Sequence, residues 1–225
     1  MSETDRQIAL VTGASRGLGY AVSRALGAAG WHVIAMARTV GGLEELADEI
    51  EAAGGPPPTL VPLSMTDDGG LQRLCLSVYE RWGAIDLAIH CAAHAPPLSP
   101  APHIGEKDFD LAVDVNFKGT KRLVTFLQPL LTVRPGGHFV YVSDARAGQP
   151  FFGAYGASKA AADALVRSWA EETVRIAPRV SIFQPEPMPT ALRARFYPGE
   201  DTSKLTPCAT EAERLIQTIG LLQSA

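Results

Sequence analysis

Three cysteines in 225 residues, no run of Lys or Arg and no long apolar stretch set the first limits on this chain. Cys75, Cys91 and Cys208 are odd in number and far apart, which fits reduced thiols and not a disulfide framework. Twenty basic residues stand against twenty-four acidic ones, a formal charge of −4, so the clustered cations that displace counterions from phosphates are missing. No nucleic-acid partner is expected. The longest uncharged stretch, Leu87 to Gly105, runs 19 residues but holds three His and four Pro, which bars a membrane helix. The opening residues Met1 to Arg6 are polar and acidic, without the basic and then apolar profile of a secretory leader, so no membrane association and a cytoplasmic location are expected.

What is present is an ordinary globular composition, 46% apolar and 20% charged, at a length that suits a single α/β domain over residues 1–225. Short Val- and Ile-rich runs alternate with longer helical patterns, the signature of βαβ units around a parallel sheet. Strands are expected at Gln7 to Thr12, His32 to Ala37, Thr59 to Leu63, Ile85 to His90, His138 to Ser143 and Val180 to Gln184. Helical patterns fall at 17–29, 41–53, 67–82, 106–132, 154–176 and 209–222. Gly54-Gly55-Pro56-Pro57-Pro58 and Arg134-Pro135-Gly136-Gly137 each stop a helix before a strand. The order predicts a doubly wound, Rossmann-like sheet of six parallel strands.

The first strand runs into Thr12-Gly13-Ala14-Ser15-Arg16-Gly17-Leu18-Gly19 and then an Ala-rich helix. Glycines there remove the Cβ atoms that would hold a pyrophosphate off the backbone, and a helix N-terminus offers unpaired N–H groups and a positive dipole end. A binding site for a nucleotide follows from this turn in this context. Its sugar-end partners read from charge: the second strand ends Ala35-Met36-Ala37-Arg38 with no carboxylate before Glu44. Arg16 and Arg38 can meet a ribose 2′-phosphate, where an acid would select the 2′-hydroxyl, so NADP(H) is favoured over NAD(H).

Further on, Tyr155-Gly156-Ala157-Ser158-Lys159 opens a helical pattern, and i and i+4 share a helix face. A neighbouring cation favours the phenolate of a Tyr whose unperturbed pKa is about 10, the pairing that proton transfer at a carbinol oxygen needs.

Together, the T-G-x-x-x-G-x-G turn and the Y-x-x-x-K pair resemble the short-chain dehydrogenase/reductase family, from Ile8 to about Thr190. The resemblance implies an oxidoreductase on a small carbonyl or secondary-alcohol substrate. Tyr155 is then the general acid/base, and Lys159 holds the nicotinamide ribose while tuning Tyr155. Val115-Asn116-Phe117-Lys118-Gly119-Thr120 resembles the family's V-N-x-x-G-T, which makes Asn116 the tetrad asparagine. The tetrad serine has two alignments. Counting along the fifth strand puts it on Asp144, and counting back from Tyr155 allows Ser143; Ser143 is taken as the catalytic residue, Asp144 as the alternative that would repel negative charge on a substrate oxygen.

The resemblance also places Gly13, Ser15, Arg16, Gly17, Leu18, Gly19, Arg38, Ser64, Met65, Cys91, Ala92, Pro185 and Thr190 at the cofactor, with Tyr155 and Lys159. Three segments depart from the family. His90-Cys91-Ala92-Ala93 stands where it carries N-N-A-G, Ser64 where an acid often meets the adenine, and Glu186 where a Gly follows Pro185. His90, Cys91, His94 and His103 lack the closed spacing of zinc sites, and no metal is expected. Residues 191–207, with Arg193, Arg195, Phe196 and Tyr197, correspond to the segment that covers the substrate. A homodimer or homotetramer through 106–132 and 154–176 is implied, as is a missing seventh strand, since the sequence stops at Leu221-Leu222-Gln223-Ser224-Ala225. A second reading keeps the fold but weakens the chemistry: a nucleotide-binding regulatory or scaffold protein.

Overall fold

The structure, a computed structural model, describes residues 6–221. The polar opening residues 1–5, and residues 222–225 on which the expectation of a missing strand rests, lie outside them. Six parallel strands, β1 (Ile8–Thr12), β2 (His32–Ala37), β3 (Thr59–Pro62), β4 (Leu87–His90), β5 (His138–Val142) and β6 (Arg179–Phe183), form one sheet in the order β3-β2-β1-β4-β5-β6. All residues of β1, β2 and β4 are buried, because helices cover both faces.

Strand alternation divides the core. Ala9, Val11, Val33 and Ala35 face α1 (Gly17–Ala28), α2 (Val40–Ala52) and α8 (Cys208–Thr218). Ile8, Leu10, Ile34 and Met36 face the other layer, made by α3 (Asp68–Trp82), α5 (Gly119–Thr132) and α6 (Gly153–Glu172). Because β1 pairs with β2 on one side and β4 on the other, the chain changes direction between β1 and β4. The connections that leave the carboxyl ends of β1 and β4 therefore pass to opposite faces of the sheet and open a crevice between them, the place where open α/β sheets take ligands.

Several expected bounds shift. β4 begins at Leu87 and not at Ile85, because the Asp86 carboxylate accepts from the Ile8 amide at 2.8 Å and ties that corner to β1. The pattern over 106–132 is not one helix. α4 (Glu106–Ala112) passes through a wide, π-type turn at Val113–Lys118 before α5 begins. Such a turn carries an extra residue and is frequent where a helix serves a site. The segment 191–207 is not all loop: α7 (Ala191–Phe196) forms there, its Thr190 hydroxyl accepting from the Arg193 amide at 3.1 Å. Among the described residues no helix is long and apolar enough to cross a membrane.

Candidate active site

The glycine turn is as tight as its sequence requires. Gly13 sits at φ 72°, and a Cβ on it would lie 2.9 Å from the Ala92 amide nitrogen at the end of β4. A Cβ on Gly19 would collide with the Gly13 carbonyl, so the helix can follow the strand this closely only without side chains. α1 has no acidic residue in its first turn and no side-chain cap, which leaves its leading amides and its dipole for an anion. Gly13→Ala is expected to cost about 1–3 kcal/mol of stability and to weaken dinucleotide binding, read by thermal unfolding and by nucleotide titration.

Behind the turn runs a directed hydrogen-bond chain. The Ala92 amide donates to Thr12 Oγ1 at 3.2 Å, and Thr12 Oγ1 lies 2.7 Å from His90 Nδ1. His90 Nε2 lies 3.0 Å from Thr120 Oγ1, whose hydroxyl donates to the Asn116 carbonyl at 2.6 Å. With the Thr120 proton spent on Asn116, the imidazole must carry its hydrogen on Nε2 and accept on Nδ1. Burial, with a smaller push from Lys159, pulls His90 down to about 3, so it stays neutral. An imidazole thus braces β1, β4 and α5 at a position where the resembled family carries an asparagine.

Asn116 is buried in the wide turn and does not line the cleft. Its Oδ1 accepts from the His94 amide at 2.7 Å, and its Nδ2 donates to the His94 carbonyl at 3.0 Å and to Ser158 Oγ at 2.9 Å. Ser158 donates in turn to the Tyr155 carbonyl at 2.9 Å. Asn116 therefore clamps the segment after β4 to the first turn of α6. His94 Nε2 is buried without a hydrogen-bond partner, beside the cleft.

Tyr155 and Lys159 project from one face of α6 toward the end of β5. Lys159 Nζ donates to the Val142 carbonyl at 2.7 Å and stands 4.3 Å from the Tyr141 ring. Burial pulls its pKa down to about 8, against the pull of Asp144, Cys91 and Asp163. The ammonium is thus present at neutral pH and is lost as pH rises through about 8.

The expectation for Ser143 is not met by the geometry. Its hydroxyl turns away from Tyr155 and donates to Asp163 Oδ1 at 2.7 Å, while its amide donates to the Phe183 carbonyl at 2.8 Å. Backbone pairing with β6 aims Ser143 along the helix side, so the next residue faces the cleft. It is Asp144 Oδ2 that accepts from the Tyr155 hydroxyl, at 2.9 Å, while Asp144 Oδ1 lies 3.3 Å from Arg146 Nε. Burial first, then the Asp144 charge and its hydrogen bond, hold Tyr155 well above the ordinary phenol value, so it is a proton donor and not a phenolate.

α7 lies over this pair. The Phe196 ring is 4.9 Å from both Tyr155 and Phe152, all three buried with Ala95 in a small cluster separate from the main core. Arg193 holds Glu200 through two contacts of 2.6 Å, which pins the chain beyond α7 back onto it. The Arg146 guanidinium donates to the Tyr197 hydroxyl at 2.8 Å and lies 5.5 Å from the Phe152 ring.

All of this opens into one cleft of about 770 Å³ at the carboxyl end of the sheet. Every residue expected at a cofactor, from Gly13 through Thr190, lines it, and Ser143 does as well. Its β2 end carries Arg16 and Arg38, with Arg16 Nη2 3.4 Å from Thr39 Oγ1; the only carboxylates among the described lining residues, Asp144 and Glu186, follow β5 and β6. Ser64 is turned to its own loop, 2.8 Å from Thr66 Oγ1. The residues fit a phosphorylated dinucleotide: a Cβ-free cradle, an uncapped helix end and two cations at the far end. Arg146, Phe152 and Asp163 belong to no motif and Ser158 fills an unspecified position of Y-x-x-x-K, so nothing local in the sequence marks these four, each of which acts through a contact distant in sequence.

A family profile described as short chain dehydrogenase matches residues 7–201. Fatty acyl-CoA reductase of Acinetobacter baylyi is 33% identical over 174 residues, which are 75% of this chain and 58% of that protein. The chain therefore spans little more than half the length of that relative. A short chain dehydrogenase from Salmonella enterica superposes with a TM-score of 0.90 at 25% identity, covering 98% of this chain and 93% of that one. An alcohol dehydrogenase from Thermococcus sibiricus, complexed with 5-hydroxy-NADP, gives 0.84 at 26% identity, covering 98% and 93%.

Proposed function

The chain belongs to the short-chain dehydrogenase/reductase family, whose members bind nicotinamide cofactors, and from that premise we propose an NADP(H)-dependent oxidoreductase acting between a carbonyl and a secondary alcohol. The observation that carries this reading is the convergence of the Gly13–Gly19 cradle and the Tyr155–Lys159 pair on one cleft. Bound there, the nicotinamide supplies or takes up the hydride. The chain's own residues do the rest. Tyr155 holds a proton for the substrate oxygen, and Lys159, fixed by Val142, supports Tyr155 and the ribose. Asn116 keeps the wall after β4 against α6, and α7 with Phe196 excludes water from the Tyr155 hydroxyl.

Arg38 and Arg16, with no acid beside them among the described lining residues, support the phosphorylated cofactor, as do the NADP-type ligands of solved relatives. Arg38→Ala is expected to weaken NADPH binding about 10- to 100-fold, the worth of a charge-assisted contact, and to leave NADH binding within about twofold. Equal losses for both nucleotides would deny Arg38 the 2′-phosphate.

The Tyr155–Asp144 bond supports the second reading, a nucleotide-binding protein with little turnover, because it occupies the proton donor. NADPH oxidation against ketones and aldehydes, alongside NADPH titration, separates the two. Turnover supports the enzyme, and tight binding without turnover of any carbonyl supports the second reading.

A further inference from the structure

Asp144 stands where a carbonyl oxygen would approach Tyr155, and the hydrogen bond between them has a consequence for what can react. The phenol has one proton, and it points at a carboxylate. A neutral ketone offers only acceptor lone pairs, so it can take that proton only by leaving Asp144 Oδ2 short of a charge-assisted bond. A ligand that accepts from Tyr155 and at the same time donates to Asp144 replaces both halves of the bond.

We propose that the substrate carries a cationic nitrogen on the carbon next to its carbonyl, an α-ammonium ketone or, in reverse, the corresponding amino alcohol, with Asp144 as the residue that selects it. This rests on the reading of the cleft as a hydride-transfer site. Neighbouring heteroatoms on adjacent carbons suit the 2.9 Å span between the phenol oxygen and Asp144 Oδ2. Oδ1 is already held by Arg146, which leaves Oδ2 for the ligand and keeps the carboxylate aimed. In the reaction the nicotinamide hydride adds to the carbonyl carbon and the C=O π bond breaks. The oxygen takes the Tyr155 proton, the nicotinamide is oxidised, and the ammonium keeps its protons throughout. Negative charge building on the oxygen then faces the ligand's ammonium as well as the carboxylate, where a neutral ketone brings no cation of its own to offset the carboxylate.

The charges around Asp144 come from several elements. Arg146 lies on its own loop, Lys159 and Asp163 on α6, and Arg193 on α7, with Tyr141 from β5 and Tyr155 from α6. Arg193 on α7 is paired with Glu200 and Arg146 with Asp144 itself, while Arg195, the other arginine of α7, also lines the cleft.

The test uses the full chain with NADPH and three ketones of like shape whose α substituent is ammonium, methyl or carboxylate. NADPH titration comes first: if the nucleotide does not bind, the hydride-transfer reading itself fails and this proposal fails with it. With binding established, kcat/KM for the ammonium ketone should exceed that of the neutral one by about 10- to 100-fold. Asp144→Asn, nearly the same shape, should erase the preference, and Asp144→Ser should do the same while raising activity on the neutral ketone. Calorimetry of the amino alcohol against the protein–NADP⁺ complex should show the same loss in both variants, whatever their turnover, and thermal unfolding checks that each folds. A neutral or anionic ketone preferred by the wild type, or an ammonium preference that survives Asp144→Asn, overturns the assignment.

Discussion

Tyr155→Phe is expected to lower kcat for carbonyl reduction about 100- to 10,000-fold, the usual worth of a positioned general acid, and to leave NADPH affinity within about threefold. The substitution removes one oxygen and keeps the ring. The phenyl group can still meet Phe196 and Phe152, whose rings lie 4.9 and 6.4 Å away, so the cluster under α7 is retained. Asp144 loses its donor but keeps Arg146 and access to water. Steady-state rates with a fluorescence titration of NADPH separate the two effects, and rates that survive the change would place the proton elsewhere. Because the neighbouring carboxylate and burial keep the phenol protonated, reduction should outlast oxidation as pH falls, since oxidation needs the phenolate.

The second large effect is on stability. His90 is drawn down to about 3 and His138 to about 4, both by burial, from an ordinary 6.5. Below pH 6.5 the unfolded chain takes up protons that the folded one refuses, so these groups contribute stability above that pH and lose it as pH falls toward 4 and 3. Between pH 7 and pH 5 each should cost about 2 kcal/mol of unfolding free energy. Denaturant unfolding at the two values measures the sum, to which His94, also held low by burial, adds with the same sign. His90→Gln keeps an amide to bridge Thr12 and Thr120 and should remove about 2 kcal/mol of the pH dependence. The carboxylates held low by arginine, Glu200 and Glu211, titrate below this window, and Lys159, at about 8, titrates above it. An unfolding free energy that is flat from pH 7 to 5 would mean that these histidines are solvated.

The largest features were readable because they are local or periodic. Five of the six strands begin within one residue of where their Val- and Ile-rich runs begin, and the exception, β4, is displaced by Asp86, which pairs with Ile8 across 78 positions. Nothing near Asp86 in the chain announces that contact. The helical pattern over 106–132 runs without a break in the sequence, and its periodicity could not show the wide turn at Val113–Lys118, which moves the phase of the helix by part of a turn. His90 is a departure from the family's N-N-A-G, and no neighbour in the sequence shows what its ring does. Its ring in fact completes the brace, because Thr12 and Thr120 stand on opposite sides of it at hydrogen-bonding distance. That pairing joins residues 78 and 30 positions away.

By itself, then, the sequence determined the doubly wound sheet, the tight glycine turn and the Tyr155–Lys159 face, since strand runs, glycines and an i, i+4 pair act over a few residues. Only the tertiary structure decided which of two adjacent residues meets Tyr155. Successive side chains at a strand end point to opposite faces, and counting could not say which face was which until the β6 amide pairing, Asp163 and Arg146 fixed the rotation. The Ser143 hydroxyl went to Asp163 on the helix and the Asp144 carboxylate to Tyr155, and the charge beside Tyr155 follows from that one turn of the backbone.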